Sequence, residues 1–101
     1  MMTNYRRGVK KERELMELWD NAGAIETGRT AGSHGIFDVF GIFPNGVRFA
    51  QVKRIKKDGN WTTEYKQTVE EIKQIHKPPN VSYEYWIWED YNSWIKKEVI
   101  K

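Results

Sequence analysis

Asp38, Gln51 and Lys53 place an acid, an amide and an ammonium inside the most hydrophobic stretch of the chain, FDVFGIFPNGVRFAQVKRIKK (residues 37–57). Asp is depleted from strands, and a carboxylate taken out of water needs a partner or a cation to offset its desolvation. Gln51 and Lys53 project to one side of a strand, because side chains there repeat every two residues. An Asp beside a Lys on the neighbouring strand reads in two ways. It is a structural ion pair, or it is a site where oxygen ligands hold a hard divalent cation and the lysine orients or activates water. The second arrangement suits phosphodiester cleavage. The cation polarises a non-bridging oxygen and lowers the pKa of a bound water, while the ammonium stabilises charge building on phosphorus. Glu12 lies three or four positions before Leu15 and Met16 and seven before Trp19, on or beside the buried face of a helix. An acid in a first turn also complements the helix dipole, so Glu12 has a structural reading next to the functional one.

The elements that must position these residues follow from periodicity. A helix is predicted over Arg7 to Asn21, with Val9, Met16 and Trp19 along one side and Leu15 and Leu18 beside them. Asn21-Ala22-Gly23 ends it, a short strand near Ala24 to Thr27 follows, and GRTAGSHG links onward. Ile36 to Phe43 and Val47 to Arg54 read as strands around Pro44-Asn45-Gly46, whose Asn-Gly is a strong turn signal. After the loop KKDGNW, Thr62 or Thr63 is placed to cap a second helix with the stripe Tyr65, Val69, Ile72 and Ile75 or His76. Pro78-Pro79 stops that helix. Val81 to Trp88 and Trp94 to Ile100 complete the chain as strands. The order is α-β-β-β-α-β-β, a mixed central sheet flanked by helices.

The 101 residues suit one domain, 1–101, with one modest core enriched by five Trp, five Tyr and four Phe. Without cysteine there is no disulfide framework and no thiolate metal site. The mean hydropathy of -0.80 and the lack of an apolar run of signal or membrane-span length point to a cytoplasmic or nucleoid-associated protein, virus-encoded proteins included. Charge is uneven: residues 1–57 carry eleven Lys and Arg against six Asp and Glu, residues 58–101 six against eight. The basic half suits a polyanion, and equally a solvated surface.

The stretch YRRGVKKERELMELWDNAGAIETGRTAGSHGIFDVFGI…GVRFAQVKR, roughly residues 5–57, resembles the archaeal-type Holliday junction resolvases of the PD-(D/E)xK nuclease superfamily. The shared features are the basic YRRG start, ERELMELW on the first helix, AGS in the following loop, then the Asp and the x-Lys motif. The order of elements continues to a final W…EV strand in Trp94 to Val99. The resemblance implies a restriction-endonuclease-like α/β core and a Mg²⁺ site, with Mn²⁺ able to substitute. It implies Glu12, Asp38, Gln51 and Val52 as metal ligands and Lys53 as the motif lysine. Arg13 and Arg29 fall where the family has arginines for DNA, and Ser33 in a loop the family uses near the scissile phosphate. Arg6, Arg7, Lys10, Lys11, Arg54, Lys56 and Lys57 are further candidate phosphate contacts.

One departure bears on the chemistry. Gln51 stands where the family usually has Glu; its oxygen can ligate Mg²⁺ but brings no charge, so weaker metal binding is expected. His34, another departure, sits in the loop before Asp38. The implied function is a metal-dependent endonuclease that cuts four-way DNA junctions as a homodimer, since two strands must be cut. The alternatives are a related nuclease on another DNA substrate and a junction-binding protein that does not cut. In YEYWIWEDYNSW, Trp86 and Trp88 share one strand face while Tyr83, Tyr85 and Ile87 share the other. Both faces must be covered, either by a second copy or by helices on each side of an internal strand.

Overall fold

The computed structural model describes residues 4–30 and 35–101, without the side chains of residues 4–7. Its elements are α1 (Asn4–Asn21), β1 (Glu26–Arg29), β2 (Val39–Phe43), β3 (Gly46–Ile55), α2 (Thr62–Lys73), β4 (Val81–Glu89) and β5 (Ser93–Ile100). The strands form one mixed sheet in the order β1-β2-β3-β4-β5. β3 and β4 are parallel and every other pair is antiparallel. A parallel pair needs a crossover, and α2 is that crossover.

Each helix covers one face. On the α1 face, Leu15 and Trp19 are fully buried against Val39, Ala50 and Trp86. Trp19 meets Phe43 and Trp86 edge-on, with centroids 6.1 and 6.3 Å away. Gly41 lets the ring approach, because a Cβ there would lie 2.7 Å from it. On the opposite face Ile72 of α2 packs with Tyr83, Tyr85, Ile87, Ile55 and Ile100. β4 therefore alternates between two cores and is internal. The reading of its faces as a dimer surface gives way to the reading of a strand with helices on each side. A register shift at Ile87 and Trp88 turns Trp94 inward, edge-on to both Trp86 and Trp88 at 5.4 Å.

Several expected boundaries move, each for a local reason. α1 starts at Asn4 rather than Arg7, and Leu18 in it is 39% exposed rather than part of the buried stripe. β1 begins at Glu26 rather than Ala24, because the Ala24 N–H still donates to the Trp19 carbonyl at 3.0 Å as Gly23, at φ 104, closes the helix. β2 begins at Val39 rather than Ile36, because Phe37 leaves the sheet for the α2 core, 4.7 Å from the Tyr83 ring. Neither Thr62 nor Thr63 is the N-cap of α2. Trp61 holds that position without a side-chain bond, and Asn60 Oδ1 accepts from the Thr62 N–H and hydroxyl at 3.2 and 3.0 Å. The helix ends at Lys73, since Gln74 and Ile75 tighten into bonds three residues back and leave Ile75 and His76 exposed.

Candidate active site

The register of β2 on β3 sets Val39 opposite Ala50, which puts Asp38 level with Gln51 at the mouth of the hairpin. Where the strands separate, the Asp38 N–H still donates to the Ala50 carbonyl at 2.8 Å. The next β3 donor, the Val52 N–H, finds the Asp38 carboxylate instead of a backbone carbonyl, at 2.8 Å. Asp38 thus ends the ladder with its side chain. Gln51 and Lys53 share a side of β3 with Ile55, which belongs to the α2 core. Tyr85 stands beside Gln51 on β4, with Glu98 beyond it on β5, so Asp38, Gln51, Tyr85 and Glu98 form a row across the sheet.

Charge around Asp38 is balanced rather than quenched. Burial pushes its carboxyl up to about 6, opposed by the Val52 N–H; the nearby Glu12 raises it further and Arg29 lowers it. Arg29 Nε donates to Glu12 Oε1 at 2.8 Å, both side chains being largely buried. A helix residue and a β1 residue thus meet at the same corner as Asp38, with the guanidinium as the local cation. Burial also pushes the Tyr85 phenol up to about 12; Thr68 opposes this, while Glu64, Asp38 and Tyr65 add to it. Its hydroxyl, among the described residues, has no partner in hydrogen-bond geometry. Tyr85 is therefore a neutral floor of the site.

Lys53 donates to Glu64, in the first turn of α2. Sequence reasoning passed over Glu64, although one signal was available: the short link from Ile55 to Thr62 returns the start of α2 over the end of β3. In the sequence Tyr85 reads as packing alone, and only the strand register makes it a neighbour of Gln51. Of the expected phosphate contacts, Lys10, Arg13, Lys56 and Lys57 are exposed. Lys11 is held by Glu14 at 2.7 Å and lies 3.4 Å above the Trp88 ring. Arg54 makes a two-pronged contact with Asp90. The side chains of Arg6 and Arg7, and all of Ser33 and His34, lie outside the described residues.

The donor atoms at this corner suit a hard cation. They are the carboxylates of Asp38 and Glu12, the amide oxygen of Gln51 and the carbonyl of Val52, all oxygens of the kind Mg²⁺ and Mn²⁺ take. The nearby Glu12 adds a second carboxylate at this corner, and because burial and Glu12 both raise the Asp38 carboxyl, a cation there would compete with a proton for it. Among the described residues no group of three or more His, Cys, Asp and Glu converges, so such a site would combine two carboxylates with uncharged oxygens. No family model matches the chain, and comparison with curated proteins and with solved structures gives no match either.

Proposed function

We propose that this chain is a metal-dependent endonuclease of the restriction-endonuclease-like kind, acting on four-way DNA junctions as a homodimer. The observation that carries the reading is the meeting of Asp38 and Gln51 at the point where β2 parts from β3, with Lys53 on the same side and Glu12 reaching the corner from α1. Asp38, Glu12, Gln51 and the Val52 carbonyl would hold Mg²⁺ or Mn²⁺. When bound, the cation supplies a nucleophilic water at neutral pH and neutralises phosphate charge. The chain's own residues do the rest. Lys53, released from or shared with Glu64, orients water and stabilises charge on the transferring phosphate. The Val52 N–H fixes one Asp38 oxygen, which leaves the other directed by a rigid carboxylate. Exposed Lys10, Arg13, Lys56 and Lys57 hold the DNA arms. Among the described residues no helix is long and apolar enough to cross a membrane, and a cytoplasmic or nucleoid setting suits the activity.

One observation favours a second reading, a protein that binds junctions without cutting. Gln51 is neutral and Glu12 is already paired with Arg29, which leaves the corner with little negative charge to hold a cation. Labelled four-way junction and matched duplex, incubated with Mg²⁺ or Mn²⁺, separate the readings. The expected result is junction cleavage by the parent, none by Asp38→Ala, and similar junction binding by both. Binding without cleavage at any metal concentration would support the second reading. Cleavage by Asp38→Ala at the parental rate would overturn the metal-site assignment.

A further inference from the structure

The tip of the β4–β5 hairpin carries a tyrosine that belongs to neither core. Tyr91 is 91% exposed and sits at φ 68, a left-handed conformation that favours glycine and is costly for a bulky side chain. The Asn92 N–H closes a turn onto the Glu89 carbonyl at 3.0 Å, with Tyr91 at the third position, where a positive φ calls for Gly or Asn. The tip is also anchored. The Asp90 N–H donates to the Ile55 carbonyl at 3.0 Å, Arg54 grips the Asp90 carboxylate, and Asn92 donates to the Glu89 side chain. These contacts occupy both acids of the tip. Exposed Lys56 and Lys57 follow Ile55 at the same end of the sheet.

An aromatic ring carried into solvent on an anchored turn, at the same end of the sheet as exposed ammonium groups, suits unstacked nucleobases: the ring can stack on a base and the lysines can meet the phosphates. The tip also lies beyond the end of the sheet at which β3 finishes, two residues after Lys53. Ile55 pairs with Glu89, so the end of β3 and the start of the tip are level. We propose that Tyr91 is a structure-specificity residue that stacks on an unpaired or unstacked base, selecting branched DNA over continuous duplex. The inference rests on the nuclease reading for the DNA it names, and it assigns the selectivity to one side chain outside the metal corner.

The test is a set of binding titrations with the full chain on four-way junction, single-strand-tailed duplex and plain duplex. Parent, Tyr91→Ala, Tyr91→Phe and Tyr91→Gly are compared, with 2-aminopurine placed at the branch. Tyr91→Ala should weaken binding to the branched DNAs by about 5- to 150-fold, the range for loss of one stacked base, with duplex affinity unchanged. Tyr91→Phe should keep the affinity and the 2-aminopurine quenching. Tyr91→Gly should fold at least as stably as the parent while losing branched-DNA affinity, because glycine relieves the backbone conformation. If Tyr91→Ala matches the parent on branched DNA, or loses duplex affinity equally, the inference fails while the nuclease reading stands. If the substitution instead changes only self-association in sedimentation runs, the tip is a protein contact and the inference fails. A parent that binds none of these DNAs overturns both.

Discussion

At the scale of single residues, the Asp38 carboxylate closes the β2–β3 ladder and, on the proposed reading, would also hold a metal. Its bond to the Val52 N–H replaces a ladder bond, so the proposed ligand is also a strand end. Titration links these roles. The Asp38 carboxyl sits at about 6 when folded against 3.8 ordinarily, so the folded chain binds this proton more tightly than the unfolded chain. Its contribution to stability is full below the ordinary value and is lost as pH rises through about 6. Metal-free protein should therefore lose about 1–2 kcal/mol across that window, less than the full shift because water reaches the site. Asp38→Asn should flatten the change, and urea unfolding at stepped pH measures it; an unchanged slope in the variant would remove Asp38 as its source. Gln51 makes a second test. Gln51→Glu adds a charge where a cation is expected and should lower the Mg²⁺ concentration needed for half-maximal junction cleavage by about 10-fold or more. A midpoint that does not move would place Gln51 away from the metal.

At the scale of elements, the strand pair β3–β4 is fastened on the α1 face by a buried polar group. Glu84, 2% exposed, accepts from Arg48 through two bonds of 2.7 and 2.8 Å, from the Trp86 ring nitrogen at 3.0 Å and from the Ser82 hydroxyl at 2.8 Å. Burial alone would push this carboxyl up, but the donors from Arg48, Trp86 and Ser82 together hold it below its usual range. The Arg48 guanidinium also lies over Trp19, 4.5 Å from the ring centroid, so the pair ties α1 to the sheet. Arg48→Met leaves the carboxylate buried with its charge unpaired and should cost about 3–5 kcal/mol. Glu84→Gln keeps two or three of the bonds and should cost less. Thermal unfolding of both variants checks the order, and the reverse order would mean that the guanidinium, not the carboxylate, bears the burial penalty.

For the whole molecule, if DNA is the partner as proposed, the exposed cations rather than the total charge would decide how it is held. Arg29, Arg54 and Lys11 are engaged by carboxylates within the fold, whereas Lys10, Arg13, Lys56 and Lys57 are exposed. Each phosphate contact adds about -0.9 to the slope of log K against log salt. Replacing Lys56 and Lys57 together with Ala should make that slope shallower by about 1.8. Arg54→Ala should leave the slope nearly unchanged and lower stability, because its charge is already spent on Asp90. Anisotropy titrations at several salt concentrations distinguish the two, and a slope that follows Arg54 would mean the Asp90 contact opens on binding. A dimer would have to use a surface other than the faces of β4, both of which are filled by this chain's own cores.

Periodicity determined most of the elements before any contact was known. The stripe on α1, the Asn-Gly hairpin and the continuous apolar run of β4 are local patterns, and each forms in the place its residue types demand. Asp38, Gln51 and Lys53 were legible as a group for the same reason, since a two-residue repeat and a tight turn leave little freedom in their relative placement. What tertiary structure decided was the choice between equal local options. β4 could have been a docking face, and it became an internal strand because α1 and α2 arrive from opposite sides. Phe37 could have extended β2, but the Tyr83 ring on a distant strand offered it a core, and Asp38 was left to end the ladder. Glu12 met Arg29 only because the α1 corner closes over β1, and Lys53 met Glu64 only because the crossover returns above β3. Such partners lie far apart in sequence, and no local preference encodes a distance that the packing of two layers on one sheet creates.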